Sequence, residues 1–244
     1  MKRYTYKLLT DQASNPKTAK AQDSAYLTAI LHLAPAKLSG NNLCARSTKG
    51  CREACLNTAG RGGINGTDNN IQRRRIARSH MFLHDRESFQ EQLVADLIKL
   101  SVCAVKIGKR PAVRLNGTSD IGWERIKVPG FRNIMEAFPN MIFYDYTKHT
   151  YSKRPPCKLP HNYFLTFSRA ENNHKETLDS LSNGRNVCVV FGVKKDAPLP
   201  TSWNGYAVID GDLSDLRFLD RTGVVVGVRA KGKAKKDISG FVVH

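Results

Sequence analysis

Short apolar runs alternate with longer polar or helical segments along most of this 244-residue chain. Seven runs have the length and nearly continuous apolar character of strands that are covered on both faces. They lie at residues 25–34, 112–116, 141–146, 162–168, 187–191, 206–210 and 224–228. Most are separated by about ten residues or more, as the crossovers between parallel strands require. The pattern predicts a mostly parallel sheet in an α/β protein.

Helical spacing appears in three of the connecting segments. Residues 70–100 predict two helices, and apolar residues recur every fourth position from Phe89 to Leu97. Residues 123–138 predict a further helix, either continuous or split near Pro129-Gly130. A fourth helix is predicted at 173–181, just before an Asn-Gly pair that suits a helix C-terminus.

Seven strands with helical crossovers predict a (β/α) barrel or partial barrel that forms one domain over residues 1–244. No Gly-x-Gly-x-x-Gly segment follows any strand, which argues against a dinucleotide-binding fold. Residues 1–24 are polar and predict an N-terminal arm or a short edge element. Residues 39–69 form a predicted loop, rich in cysteine and glycine, after the first core strand.

Polar residues follow five of the predicted strands, at the edge where parallel strands would end together. Such an edge is where barrel enzymes place their active sites, although turns favour the same residue types. Whether Asp145 or its tyrosine neighbours point into a barrel is not fixed by the pattern. The candidate catalytic residues are Asp120, Asp145 and Lys148. The candidate ligand-binding residues are Asn116, Ser119, Arg229 and Lys231.

Three cysteines form the most specific motif, Cys44-x6-Cys51-x3-Cys55, within the predicted loop. Thiolates at close spacing bind zinc or iron–sulfur clusters. Three thiolates complete neither a four-cysteine zinc site nor a fully ligated cluster, so the motif favours a [4Fe–4S] cluster with one open iron. A fourth ligand would instead close a zinc site. The candidates for that ligand are His80, His84 and Cys157.

The chain carries 39 Lys and Arg residues against 21 Asp and Glu residues, a formal charge of +18. This excess predicts a polyanionic partner, namely a nucleic acid or nucleotide. The basic residues concentrate at 44–78 and 229–236. The sequence contains no apolar run long enough for a membrane span and does not begin like a signal peptide. We therefore expect a cytoplasmic protein with reduced cysteines and no membrane association.

The chain resembles the gene product 88-like proteins of bacteriophages. The likeness rests on Cys44 to Cys55, Thr58–Gly62, Arg114–Asp120 and Phe143–Lys148. It implies a phage or prophage origin, hence the host cytoplasm, and a cluster site on a short barrel.

A more distant similarity is to the radical S-adenosylmethionine enzymes. In those enzymes a strand is followed by a loop whose three cysteines bind a [4Fe–4S] cluster, with the usual spacing C-x3-C-x2-C. That similarity adds S-adenosylmethionine as a candidate cofactor. However, Asn116, Ser119 and Asp120 stand where those enzymes carry a Gly-Gly-Glu-type segment.

These observations lead to three functional hypotheses. The first is a phage-type iron–sulfur enzyme acting on a nucleotide or nucleic acid. The second is a basic nucleic-acid-binding protein with a structural zinc ion or cluster, in which Arg73–Arg75 follow the phosphates. The third is a magnesium-dependent nuclease. Its candidate ligands are Asp120, Glu124, Asp145, Asp210 and Asp212. The sequence does not fix the oligomeric state.

Overall fold

The computed structural model describes residues 7–10, 24–66 and 68–244, and it contains nine strands in these ranges. The strands are β1 (Leu9–Thr10), β2 (Tyr26–Leu31), β3 (Arg110–Arg114), β4 (Ile142–Thr147), β5 (Tyr163–Ser168), β6 (Val187–Phe191), β7 (Ser202–Trp203), β8 (Tyr206–Asp210) and β9 (Val225–Arg229). All seven predicted strands are present within a few residues of their predicted bounds. The predicted N-terminal arm lies mostly outside the described residues, and β1 is its edge element.

The nine strands form a single sheet in the order β1-β2-β3-β4-β5-β6-β9-β8-β7. Every neighbouring pair from β2 to β8 is parallel, which confirms the predicted mostly parallel α/β sheet. Each end of the sheet carries an antiparallel strand of two residues, β1 on β2 and β7 on β8.

The sheet is open, so the structure does not form the closed barrel that was one of the predicted forms. Closure requires the first and last strands to pair with each other. Here β1 and β7 occupy those outer edges instead, and they are not neighbours in the sheet.

Five α-helices lie within the described residues: α1 (Lys49–Glu53), α2 (Asn70–His84), α3 (Arg86–Lys106), α4 (Ile134–Ala137) and α5 (His174–Ser182). Asn69 caps α2 by accepting hydrogen bonds from two backbone N–H groups, and Asp85 caps α3. None of the helices in the described ranges is both long and apolar enough to cross a membrane.

The helix predicted at 123–138 is interrupted at the expected split near Pro129-Gly130, and most of its predicted length is not helical. The structure has only a 3-10 turn at Trp123–Arg125 and the four-residue α4 in that region. Val128 and Phe131 pair with each other across Pro129-Gly130, and Gly130 has φ 79°. This tight turn interrupts the helix because proline and a left-handed glycine disfavour helical backbone.

Helices α2 and α3 pack on one face of the sheet and form the largest apolar core. Phe89, Leu93 and Leu97 of α3 contact strand residues such as Val113 and Phe143. Trp123 is also buried in this core.

The opposite face is covered by the segment 211–224 between β8 and β9. The chain moves in one direction from β2 to β6 and in the reverse direction from β8 to β9. Because crossovers are right-handed, the reversed step places its connection on the other face. Leu216 and Phe218 accordingly pack on Tyr144, and Tyr144 lies on the face opposite to Phe143.

Candidate metal centre at the cysteine loop

The carboxyl ends of the parallel strands meet along one edge of the sheet, and the cysteine loop lies at that edge. The loop follows β2, and its Cys44 thiol donates a hydrogen bond to the carbonyl oxygen of Thr118, 3.4 Å away, just beyond β3. Asp120 N–H in turn donates to the carbonyl oxygen of Leu43. The cysteine loop and the turn after β3 therefore meet at this edge.

The middle of the loop is the short helix α1, which carries Cys51. Thr48 caps α1 through its hydroxyl oxygen, which accepts from Cys51 N–H at 3.1 Å. Glu171, just beyond β5, accepts from the Thr48 hydroxyl at 2.6 Å and from Gly50 N–H at 2.8 Å. One carboxylate therefore ties the start of α1 to the end of β5.

The part of the loop after Cys55 is held by α2. Gln72 is fully buried, and its Nε2 donates to the carbonyl oxygens of Asn57 at 2.8 Å and Gly62 at 2.7 Å. Arg75 also donates to the Asn57 carbonyl, at 3.0 Å. Helix α2 therefore contributes two residues, Gln72 and Arg75, that hold the cysteine loop.

The thiols of Cys44, Cys51 and Cys55 are free, partly buried and close enough to influence one another. Burial, helped by smaller contributions from the other two cysteines and Asp120, raises the pKa of Cys44 to about 12, against a backbone hydrogen bond at Ala36 that lowers it. Burial also raises the pKa of Cys55, while Arg75 and Lys148 oppose that rise. Without a positive ion, Cys44 and Cys55 are therefore held as neutral thiols.

The three sulfurs do not form a ready-made metal site. Among the described residues, no group of three or more His, Cys, Asp or Glu side chains is arranged to hold a metal ion. Of the predicted fourth ligands, His80 is hydrogen-bonded at Nε2 to the carbonyl oxygen of Ser39 (3.0 Å), and Cys157 is exposed.

Two of the predicted catalytic residues, Asp120 and Lys148, lie beside the thiols. Lys148 N–H donates to Asp120 Oδ2 at 2.8 Å, and Lys148 Nζ donates to Ser168 Oγ at 2.6 Å. Asp120 Oδ1 is buried without a hydrogen bond in the described structure, 3.7 Å from Arg154 Nη1. The site therefore combines thiols, a carboxylate and an ammonium group at the ends of β3 and β4.

The third predicted catalytic residue, Asp145, points to the helix-covered face and is buried. It accepts from Asn116 N–H at 2.7 Å, Asn116 Nδ2 at 3.2 Å and the Tyr163 hydroxyl at 2.8 Å. Burial raises the pKa of Asp145 to about 7, against the effect of these hydrogen bonds. Tyr144 and Tyr146 lie on the opposite face, where Arg114 stacks on Tyr146.

The predicted ligand-binding residues fall into two groups. Asn116 and Ser119 are buried in the turn after β3, where Asn116 Oδ1 accepts from Ser119 Oγ at 2.9 Å and Trp123 Nε1 at 3.2 Å. Arg229 and Lys231 lie at the end of β9 and just beyond it, and both form ion pairs. Arg229 pairs with Asp210 at 2.9 Å and Asp212 at 3.2 Å, and Lys231 pairs with Asp212 at 2.5 Å.

Sequence reasoning missed Glu171, Gln72 and Arg75 as parts of the cysteine loop. Glu171 comes only three residues after the end of β5, and its closeness to that polar strand end was the available signal. Gln72 and Arg75 sit three residues apart on α2, and both reach Asn57. Their i, i+3 spacing on one helix face was the available signal.

Comparison with known proteins identifies a family. A sequence model described as gene product 88 matches residues 5–244. No curated protein and no solved structure matches the chain significantly.

Proposed function

This chain belongs to the gene product 88 family, and we propose that it is an iron–sulfur protein that acts as an enzyme on a nucleotide or nucleic acid. Cys44, Cys51 and Cys55 would hold a [4Fe–4S] cluster at the carboxyl edge of a partial (β/α) barrel. The observation that carries this proposal is the convergence of three free, partly buried thiols from one loop.

The donor set fits a thiolate-bound cluster. Thiolates are the ligands of such clusters, and a bound metal removes the thiol protons that burial otherwise retains. Arg75 and Lys148 act on Cys55 in the direction that favours thiolate. Glu171 holds the first half of the loop from the end of β5, and Gln72 holds the second half from α2, so Cys51 and Cys55 lie between two anchored points.

When bound by three thiolates, a [4Fe–4S] cluster supplies one iron without a protein ligand. Asp120 and Lys148, which lie beside the thiols, would be the polar groups near a cluster held there. Lys148 presents an ammonium group held by Ser168, and Asp120 presents a carboxylate oxygen without a hydrogen-bonding partner in the described structure. Asn116 and Ser119 shape the turn that carries Asp120. S-adenosylmethionine remains a candidate ligand of the same place.

Basic residues around the thiols support a phosphate-bearing substrate. The short helix Gly232–Lys236 packs against Leu56–Thr58, so the C-terminal lysines lie next to the cysteine loop. The basic residues of the cysteine loop and the C-terminal lysines together form one exposed basic surface around the thiols. Its members are Arg46, Lys49, Arg52, Arg61, Lys231, Lys233, Lys235 and Lys236. Such a surface favours polyanions and predicts salt-dependent binding.

A second candidate is a nucleic-acid binder in which zinc or a cluster has only a structural role. The ion pairs of Asp210 and Asp212 favour it, because carboxylates neutralised by Arg229 and Lys231 no longer repel phosphates. The same pairs give the magnesium-dependent nuclease less support, since those oxygens already have cationic partners. The nuclease would also leave the three cysteines without a role.

Metal and acid-labile sulfide content distinguish these candidates. The protein is purified without oxygen as wild type, as a Cys44/Cys51/Cys55→Ala variant and as a Cys103→Ser control. The enzyme proposal predicts about four iron and four sulfide per chain, with absorbance near 400 nm, in wild type and control only. One zinc without sulfide would favour the binder. Equal metal content in all three proteins would overturn both assignments.

A further inference from the structure

The direction in which the chain crosses the sheet reverses where β6 and β9 are neighbours. Strands β2 to β6 follow one another in order, whereas β8 is followed by a return to β9. Open α/β sheets bind ligands in the crevice outside the carboxyl ends of strands at such a reversal. The residues that follow β6 and β9 are therefore the place to look for a ligand site.

A crevice of about 250 Å³ lies at this point. We call this cavity the lysine crevice. It is lined by Gly192, Val193, Lys194, Lys195, Ala230 and Lys235. The three lysines come from two chain segments, and all are exposed. In the part of the chain that the structure describes, no carboxylate forms an ion pair with any of them. Three ammonium groups around one small space repel one another, and a bound anion would relieve that repulsion.

A second, larger crevice of about 470 Å³ adjoins the first, because Gly192 and Val193 line both. This aromatic crevice is also lined by Phe191, Pro198, Trp203 and His244. Trp203 is half-buried and meets His174 edge-on, with ring centroids 5.8 Å apart. Its size is within the roughly 300–1,000 Å³ that small-molecule sites span, and aromatic walls suit a planar base.

We propose that the two crevices together bind a nucleoside monophosphate unit. The phosphate lies among Lys194, Lys195 and Lys235, and the base lies against Trp203 in the aromatic crevice. The lysine crevice is below the usual size for a whole small molecule, so it suits a single charged group. The aromatic crevice has the room for the base that the lysine crevice lacks.

This site deepens the proposed function, on which it rests for its relation to the thiols. Ala230 lines the lysine crevice and also packs in the small apolar cluster that Cys51 and Ala54 join. A nucleotide held by its phosphate would therefore lie one side-chain layer from the cysteine loop. That placement makes the nucleotide the substrate class for the candidate metal centre.

Titration with 5′-AMP, adenosine and inorganic phosphate tests the site by calorimetry and tryptophan fluorescence. Trp123 is buried, so a fluorescence change reports mainly Trp203. The proposal predicts that AMP binds at least about tenfold more tightly than adenosine or phosphate. Lys194/Lys195/Lys235→Gln should lower AMP affinity to the level of adenosine. Trp203→Ala should lower the AMP affinity to that of inorganic phosphate. Trp203→Phe, which keeps an aromatic ring, should retain most of the wild-type AMP affinity.

The matched control is Lys106/Lys127/Lys158→Gln, which removes the same charge from exposed lysines outside both crevices. It should bind AMP like the wild type. Equal losses of AMP affinity in the two lysine variants would overturn the proposal, because binding would then depend on net charge. AMP binding no tighter than that of phosphate would also overturn it. Thermal unfolding of each variant establishes that it is folded.

Oligonucleotide competition identifies the source of the nucleotide unit. Displacement of AMP by a 5′-phosphorylated oligonucleotide, but not by its 5′-hydroxyl form, supports a site for a chain end. Displacement by neither supports a site for free nucleotide, and equal displacement by both overturns the proposal. The titration is repeated with the Cys44/Cys51/Cys55→Ala protein. Unchanged AMP binding by this variant would support the nucleotide site even if the cluster assignment failed.

Discussion

Replacing Glu171 tests how the cysteine loop is held. Its carboxylate accepts from the Thr48 hydroxyl at 2.6 Å and from Gly50 N–H at 2.8 Å. Hydrogen bonds to charged groups contribute about 1.5–3 kcal/mol each when buried, and Glu171 is only half-buried. We therefore expect Glu171→Ala to lower the free energy of unfolding by about 2 kcal/mol in total. Glu171→Gln, which keeps one acceptor, should lower it by about half as much.

The pH dependence of this loss gives an independent check. Partial burial would raise the pKa of Glu171, but hydrogen bonds from Thr48 and Gly50 outweigh it and lower the pKa. A lowered pKa stabilises the folded protein above the ordinary glutamate value of 4.5, and that contribution disappears as the pH falls through the folded-state pKa. The difference between wild type and Glu171→Ala in urea unfolding should therefore be full at pH 7 and shrink in acid.

The control for this prediction is Glu53→Ala, which removes an exposed carboxylate from the same helix α1. It should change the unfolding free energy by no more than about 0.5 kcal/mol. Cys51 should also react faster with iodoacetamide in Glu171→Ala, since α1 loses the carboxylate that holds its first turn. A loss equal to that of the control, or one that does not vary with pH, would refute the assigned role of Glu171.

Three further predictions address other parts of the site. Because burial raises the pKa of Asp145 to about 7, the folded protein keeps a proton that the unfolded chain releases near 3.8. The Asp145 contribution to stability should therefore fall as pH rises between these values, and Asp145→Asn should flatten that part of the urea-midpoint curve. In metal-free protein at pH 8, Cys44 should react with iodoacetamide far more slowly than exposed Cys103, because burial raises the pKa of Cys44 to about 12. Equal reaction rates measured by mass spectrometry would contradict this. Gly62→Ala should cost about 1–3 kcal/mol in thermal unfolding, since an added Cβ would lie 2.5 Å from the Asn57 carbonyl oxygen; an unchanged stability would contradict the loop geometry.

The strands could be predicted from the sequence because each is an almost continuous apolar run. Residues 187–191, for example, form β6 with the predicted bounds. The helix at 123–138 could not be corrected in the same way, since its apolar spacing is helical and only the Val128–Phe131 pairing ends it. Pro129-Gly130 was visible, but whether such a pair bends or stops a helix depends on tertiary contacts.

The candidate site could also be predicted only where its pattern is local in the sequence. The spacing of Cys44, Cys51 and Cys55 is local, so it could be read directly. The face to which Asp145 points depends on the handedness of crossovers that the sequence does not encode locally. The hydrogen bonds of Glu171 to the loop span 121 and 123 residues along the chain, so only the fold brings these groups together.

The most direct test of the central claim is the electron paramagnetic resonance spectrum of the reduced, iron-loaded protein, before and after addition of cyanide. Three thiolates from Cys44, Cys51 and Cys55 leave one iron open, so the account predicts a reduced [4Fe–4S] signal that changes when cyanide binds. Loss of the signal in each single cysteine variant, but not in Cys103→Ser, should accompany it. A signal that cyanide leaves unchanged, or no signal in the wild type, would contradict the three-cysteine cluster.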